Sequence, residues 1–493
     1  MFEYTDPNPK APSRRRPRAR AAGRLILLVG AAVIVLAGCA ASSTGATTSS
    51  ATAATSAGTA ASSSAPGGPG GAPPSGAPGA PGGNAPGGGS STAQYTPTGS
   101  YTLSTGTAST SGATYSATES DPSAVLVNGT GSLTVADATI TTSGASKSSD
   151  ESSFYGLDAG VLAQSGGKIV MTGGSVTTTG DGANGVFAYG TGTSVTISNA
   201  TIKATGQYAH GAMASGGGSV SVTDTTITTA GANSGAIATD RGGGTITVSD
   251  GSVTTSGQDS PAIYSTGAIT ATGGTYTATG AESAVIEGAN SITLTDATLT
   301  SSKAAKWGVL IYQSMSGDAS GTTGTFTMTG GSLSNTAATG PLFYVTNSTG
   351  VIKLKGVTVT AGSGVLINAA TGTWGTSGSN GGTVVFTADG ETLTGDLASD
   401  SSSSIAATLQ NGTTLTGKIA SAALTLDASS VWNVTGDSQL TSLSDSSGIS
   451  GTTITNIHGN GHTVTYDASL AANSALGGKT YTLAGGGQLT PKA

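Results

Sequence analysis

Three histidines, one arginine and one pair of adjacent acids hold much of the reactive chemistry available to this 493-residue chain beyond residue 40. Glycoside hydrolysis normally needs two carboxylates converging on one bond. Lyase chemistry needs a base and a cationic group to stabilise the anionic intermediate. The adjacent acids are Asp150-Glu151, in the polar stretch "SKSSDESSFYG", and the lone arginine is Arg241. His458 and His462, in "IHGNGHTVTYD", have a spacing that suits metal ligation, but no third ligand accompanies them, and the glycines between them read as a strand–turn–strand. His210 stands apart. No phosphate loop, zinc motif or nucleophile elbow is present. The chain is therefore predicted to be no enzyme and to carry no cofactor.

The elements that must position these residues are repeats. "SVSVTDTTITTAG" (Ser219–Gly231) returns in near-copies along the chain. One strand carries two alternating apolar residues: Leu133/Val135, Ile169/Met171, Val195/Ile197, Val220/Val222, Ile246/Val248, Ile292/Leu294, Phe326/Met328 and Ile352/Leu354. Five residues on comes a third, among them Ile140, Val176, Ile202, Ile227, Val253, Tyr276 and Leu299. A further short strand holds apolar pairs such as Val161-Leu162, Val186-Phe187, Val285-Ile286, Val309-Leu310 and Val365-Leu366. Alternation means strand. Three short strands in a unit of roughly 23–26 residues bury their apolar sides only by stacking unit on unit. The predicted fold is all-β, a single-stranded parallel β-helix with three strands per coil, about 14 layers and ~70 Å long.

Two columns of turn residues support this. Asp137, Gly173, Asn199, Asp224, Asp250, Gly273, Asp296, Gly330 and Gly356 follow the double-apolar strand, and all are types that tolerate a left-handed backbone. Gly144, Gly180, Gly206, Gly231, Gly257 and Gly280 mark a second bend. The aspartates of the first column offer calcium one carboxylate per coil, with glycines interrupting.

Charge and composition divide the chain. There are 80 glycines, 9% charged and 4% aromatic residues. Basic residues cluster before Arg24, and the body is strongly acidic, which excludes phosphate recognition, so no nucleic-acid partner is expected. The basic run leads into "LILLVGAAVIVLAGCA", an apolar core too short to span a bilayer and of signal-peptide form. Leu36-Ala37-Gly38-Cys39 resembles a bacterial lipobox, which implies cleavage before Cys39 and lipidation of its sulfur. Cys39 is also the sole cysteine, so no internal disulfide forms. The expected divisions are a lipoprotein signal peptide over 1–38, an Ala/Ser/Thr then Pro/Gly-rich tether over 39–93, regular β-helix repeats over 94–382, and less regular coils with a cap over 383–493.

"TLTGKIASAALTLDASS" (Thr414–Ser430) and "SSVWNVTGDSQLTSLS" (Ser429–Ser444) resemble the closing part of pertactin-type autotransporter passenger domains. The resemblance implies a right-handed helix whose last coils form a stable core and cap, with Trp432 packed inside. A membrane barrel follows such passengers; here the anchor is expected at Cys39 instead.

Two surfaces remain for function. Threonines flank the third apolar position, as in Thr139/Thr141, Thr226/Thr228 and Thr298/Thr300, in a grid that Lys203 interrupts. Insertions at Ala145–Tyr155, Ser314–Gly324 and Thr371–Gly382 bring Phe154, Tyr155, Tyr208, Trp307, Tyr312 and Trp374 into or near loops, where exposed aromatics suit sugar or protein contacts. The expected role is non-catalytic: a surface lipoprotein, held extracytoplasmically on the bacterial membrane, for adhesion or for binding glycans or proteins. The alternatives are a carbohydrate-active β-helix enzyme with its site in the loops, and ice binding by the threonine grid.

Overall fold

A computed structural model describes residues 96–492, which form a parallel β-solenoid of about 16 turns with three strands per coil. Cys39, the signal segment and the 39–93 tether lie outside the described residues.

The apolar positions stack as their spacing requires. Ile202 pairs with Ile227 and Ile227 with Val253, each in register in adjacent parallel strands. Val195, Val220 and Ile246 do the same in the double-apolar sheet. These side chains are essentially inaccessible to water, and burying each contributes roughly 1.5–3 kcal/mol. Side chains alternate across each strand, so the partners of these residues face outward. On the third-position sheet they form an unbroken rank of serine and threonine from Thr114 through Thr139, Ser175, Thr201, Thr226, Ser252, Thr275, Thr298 and Ser332 to Thr358.

The two bends work by different physics. All nine residues of the first column have positive φ, from 45° at Asp224 to 69° at Gly173, so there the left-handed backbone turns the chain. The second column differs from expectation. Gly144, Gly180, Gly206, Gly231, Gly257 and Gly280 do not have positive φ; glycine is required because a Cβ on each would run into a carbonyl oxygen of the turn before, that of Gly180 in the case of Gly206. The left-handed residue at that corner comes two positions later, at Gly182, Tyr208, Asn233 and Asp259.

The short apolar strands form a third sheet that is buried on both faces, as Val161–Gln164 and Val309–Tyr312 illustrate. This explains apolar pairs where alternation was expected: Val161 points into the solenoid, and Leu162 belongs to a second hydrophobic cluster outside it. The strand Phe343–Thr346 adds a turn that the repeat pattern did not reveal; Phe343 pairs with Ile367 of the next strand, whose own pairing with Asp396–Ser399 shifts register after Val365. The insertion before Gly156 contains a short α-helix, Ser149–Tyr155. Ser148 caps it by accepting from the Glu151 amide at 3.1 Å. The Ser148-x-x-Glu151 spacing is that of a capping box, and Asp150 and Glu151 sit in the first turn, where negative charge is favourable.

Below Asp396–Ser399 the third sheet stops, apart from a single bridge from Leu397 to Ile419. The coil becomes two-sided and shortens: Leu415 pairs with Trp432, 17 positions later. The solenoid has about 16 turns, where the repeat spacing predicted about 14. Trp432 is fully buried and donates its indole N–H to the Gly417 carbonyl at 2.9 Å. Tyr481–Ala484 and Gln488–Pro491 pair antiparallel and close this end.

The steric reading of the second bend gives a direct test. Gly206→Ala, or Gly231→Ala, must push two turns apart and is expected to cost about 1–3 kcal/mol or more. Gly356→Ala, with open space around its Cβ, incurs only the positive-φ penalty of about 1 kcal/mol. Denaturant midpoints that rank these variants the other way would refute the assignment.

Candidate functional site

The outer face of the third sheet gathers the titratable residues that are scattered in sequence. Leu126, Leu162, Phe187, Met213, Ala238, Tyr264, Val285, Leu310 and Tyr344 are successive register partners along it. Bare, this rank would expose an apolar stripe the length of the sheet. The three insertions cover it. Gly156, just past the helix, packs against Leu162 and Phe187, and Ser215 donates to the Phe154 carbonyl at 2.6 Å. The Arg241 guanidinium lies 3.9 Å from the centre of the Phe154 ring and donates from Nε and Nη2 to Asp318 Oδ1 at 3.2 and 2.8 Å. One side chain thereby ties the first insertion to the second. Trp374 in the third insertion packs on Tyr312 and Trp307, and Trp307 stacks on Tyr344 at 4.5 Å.

This placement corrects the expectation for the loop aromatics. Phe154, Trp307, Tyr312 and Trp374 are buried, none more than 7% exposed, because they roof an apolar face. Tyr155 and Tyr208 are half-buried. Tyr155 packs edge-on against Tyr189 at 5.2 Å, and Tyr208 occupies a left-handed corner position.

Beneath the roof lies a polar network. Glu287, fully buried, accepts from Tyr264 at 2.5 Å and Tyr312 at 2.8 Å through Oε2, and from Ser314 of the second insertion through Oε1. Asp318 also accepts from Ser316 at 2.9 Å. Burial, reinforced by Asp318, pushes the Asp240 carboxyl well above the usual carboxylate range. Burial and the Glu287 charge raise both tyrosine hydroxyls. A second group adjoins it: Lys306 pairs with Asp259 at 2.7 Å and approaches Glu282 at 3.7 Å. Glu282 is inaccessible to water, and burial raises its pKa against the opposing pull of Lys306.

The repeat length contained the signal for this cluster. Tyr264 precedes Glu287 by 23 residues and Tyr312 follows it by 25, which is one coil in each direction. Acids one unit apart are neighbours in a solenoid, and adjacency along the chain is the wrong measure.

Chemically the network is a lock. The Glu287 carboxylate is held by the hydroxyls of Tyr264, Tyr312 and Ser314, and the Asp318 carboxylate by the Arg241 guanidinium and Ser316. His458 and His462 are held separately. His458 Nδ1 lies 2.9 Å from Asn433 Oδ1, and His462 Nδ1 lies 3.8 Å from Asp437. Asp150-Glu151 belongs to the helix start. Among the described residues no three His, Cys, Asp or Glu side chains form a group that holds a metal ion, and no helix is long and apolar enough to cross a membrane.

No protein-family model matches the chain, and neither a curated protein nor a solved structure matches it.

Two tests follow from the lock. Arg241→Ala removes the tie and leaves buried Asp318 without its cation. A loss of roughly 2–3 kcal/mol is expected, with faster proteolysis within 314–322; unchanged stability and cleavage would show the tie to be passive. His210 supplies the second. Burial lowers its pKa from 6.5 to about 4, so the fold favours the neutral ring. Its stability contribution is complete above pH 6.5 and is lost as pH falls toward 4. The difference in unfolding free energy between the protein and His210→Gln should therefore shrink across that window; a difference independent of pH would contradict it.

Proposed function

We propose that this protein is a rigid surface rod that binds glycans without cleaving them, displayed outside the cell by a lipid anchor at Cys39. The observation that carries this reading is the distribution of groups over the rod's faces. Glu287 and Asp318 are engaged by the insertions and by Arg241, while the threonine face is regularly lined with hydroxyls. Such a face hydrogen-bonds to polyhydroxylated chains without the converging carboxylates that hydrolysis needs. The resemblance of Thr414–Ser444 to passenger domains, which display β-helices at cell surfaces, supports the same role by analogy.

A second reading rests on the same face. Strand residues two apart are roughly 6.6–6.8 Å apart and layers repeat at about 4.8 Å. The unbroken Ser/Thr rank therefore forms a regular lattice suited to ordering water against ice. Lys203, paired with Thr177 and Thr228, interrupts the neighbouring rank.

Incubating the full chain with soluble and insoluble neutral and uronate polysaccharides decides between readings. Retention on a polysaccharide with no new reducing ends or unsaturated products is expected. Depolymerisation would make it a carbohydrate-active enzyme instead. Thermal hysteresis abolished by Thr226→Tyr with Thr228→Tyr, in the absence of glycan binding, would favour ice. Incorporation of a palmitate analogue, lost in Cys39→Ser, is expected for the anchor.

A further inference from the structure

The step at which the third sheet ends leaves a groove of about 360 Å³, lined by Lys418, Asp437, Gln439, Thr463 and Thr465 among others. Upstream this side of the rod is roofed by the insertions. Downstream of Asp396–Ser399 no strand continues the sheet, and Lys418 together with the starts of the strands Ser438–Ser444 and Thr463–Tyr466 lines the groove. Backbone bonds fix those segments on one another. Lys418 N–H donates to Asp396 Oδ1 at 2.8 Å, Gln439 N–H to the Ile419 carbonyl at 2.8 Å, and Thr463 N–H to Asp437 Oδ1 at 2.9 Å. Gln439 and Thr465 are direct register partners, so an amide and a hydroxyl stand side by side.

We propose that this groove is a subsite for one neutral sugar unit of a polysaccharide, an inference that rests on the glycan-binding reading above. Its volume is at the lower end of the range for ligand sites. Its polar groups match a polyol: an ammonium donates, a carboxylate accepts, and an amide and two hydroxyls do both. The charges of Lys418 and Asp437 balance within the groove, which favours a neutral ring over a uronate, as does the acidic body of the chain. The Asp437 side chain is 79% exposed, and one of its oxygens is already oriented by the Thr463 amide, so the carboxylate is positioned without being consumed. The threonine lattice gives the rod length; this groove gives it a place where a single ring is gripped.

The test compares binding of the full chain and of Lys418→Ala, Gln439→Ala and Thr465→Tyr to a panel of neutral glucans, mannans and galactans and to polyuronates, by affinity electrophoresis, with thermal unfolding recorded for each. The first two substitutions remove polar groups from an exposed and a half-buried position of the groove, and the third fills it. Expected is binding to a neutral polysaccharide, weakened about tenfold by loss of either polar group and abolished by the tyrosine, at unchanged unfolding temperature. Neutral-glycan binding that survives all three variants overturns the subsite and leaves glycan binding by the rod standing, as does binding confined to polyuronates. No binding to any member of the panel overturns both.

Discussion

Backbone pairing between turns, at the roughly 4.8 Å spacing of a parallel sheet, is the constraint that the rest of this structure depends on. Every corner must bring main chain that close to the main chain above it. One corner meets the demand with residues that accept a left-handed backbone, so aspartate and asparagine serve as well as glycine. The other meets it by having no side chain at all, because the carbonyl of Gly180 occupies the place where a Cβ of Gly206 would be. The abundance of glycine, which in another chain would suggest a linker, is here a consequence of stacking.

The fold was legible because stacking writes itself into the sequence at a fixed interval. Ile202, Ile227 and Val253 fall in one column, and the nine residues of the first bend are all left-handed. The insertions were less legible. Phe154 and Trp374 look like loop aromatics along the chain, and only the apolar outer rank of the third sheet turns them inward. That rank was visible as the second member of each apolar pair, but a pair of apolar residues in a short strand says nothing about what covers the outer one. The acid–tyrosine network was missed for a related reason. Glu287 has no reactive neighbour in sequence, and its partners lie one coil away.

The roofed face also shows why buried charge in this protein is a matter of partners more than of place. Glu287 is surrounded by hydroxyl donors and Asp318 by a guanidinium, while burial, reinforced by the Asp318 charge and only partly opposed by Arg241, drives Asp240 toward its neutral form. Carboxylates held this way fix loops against a scaffold; the groove at the step, whose polar groups face water, is organised in the opposite sense.

The bond from Arg241 to Asp318 joins residues 77 positions apart, so it reaches across several windings. A column held only by nearest neighbours can unravel one winding at a time from either tip. Here the guanidinium strap joins windings that are not nearest neighbours, so a winding-by-winding loss of the middle of the rod must also break it.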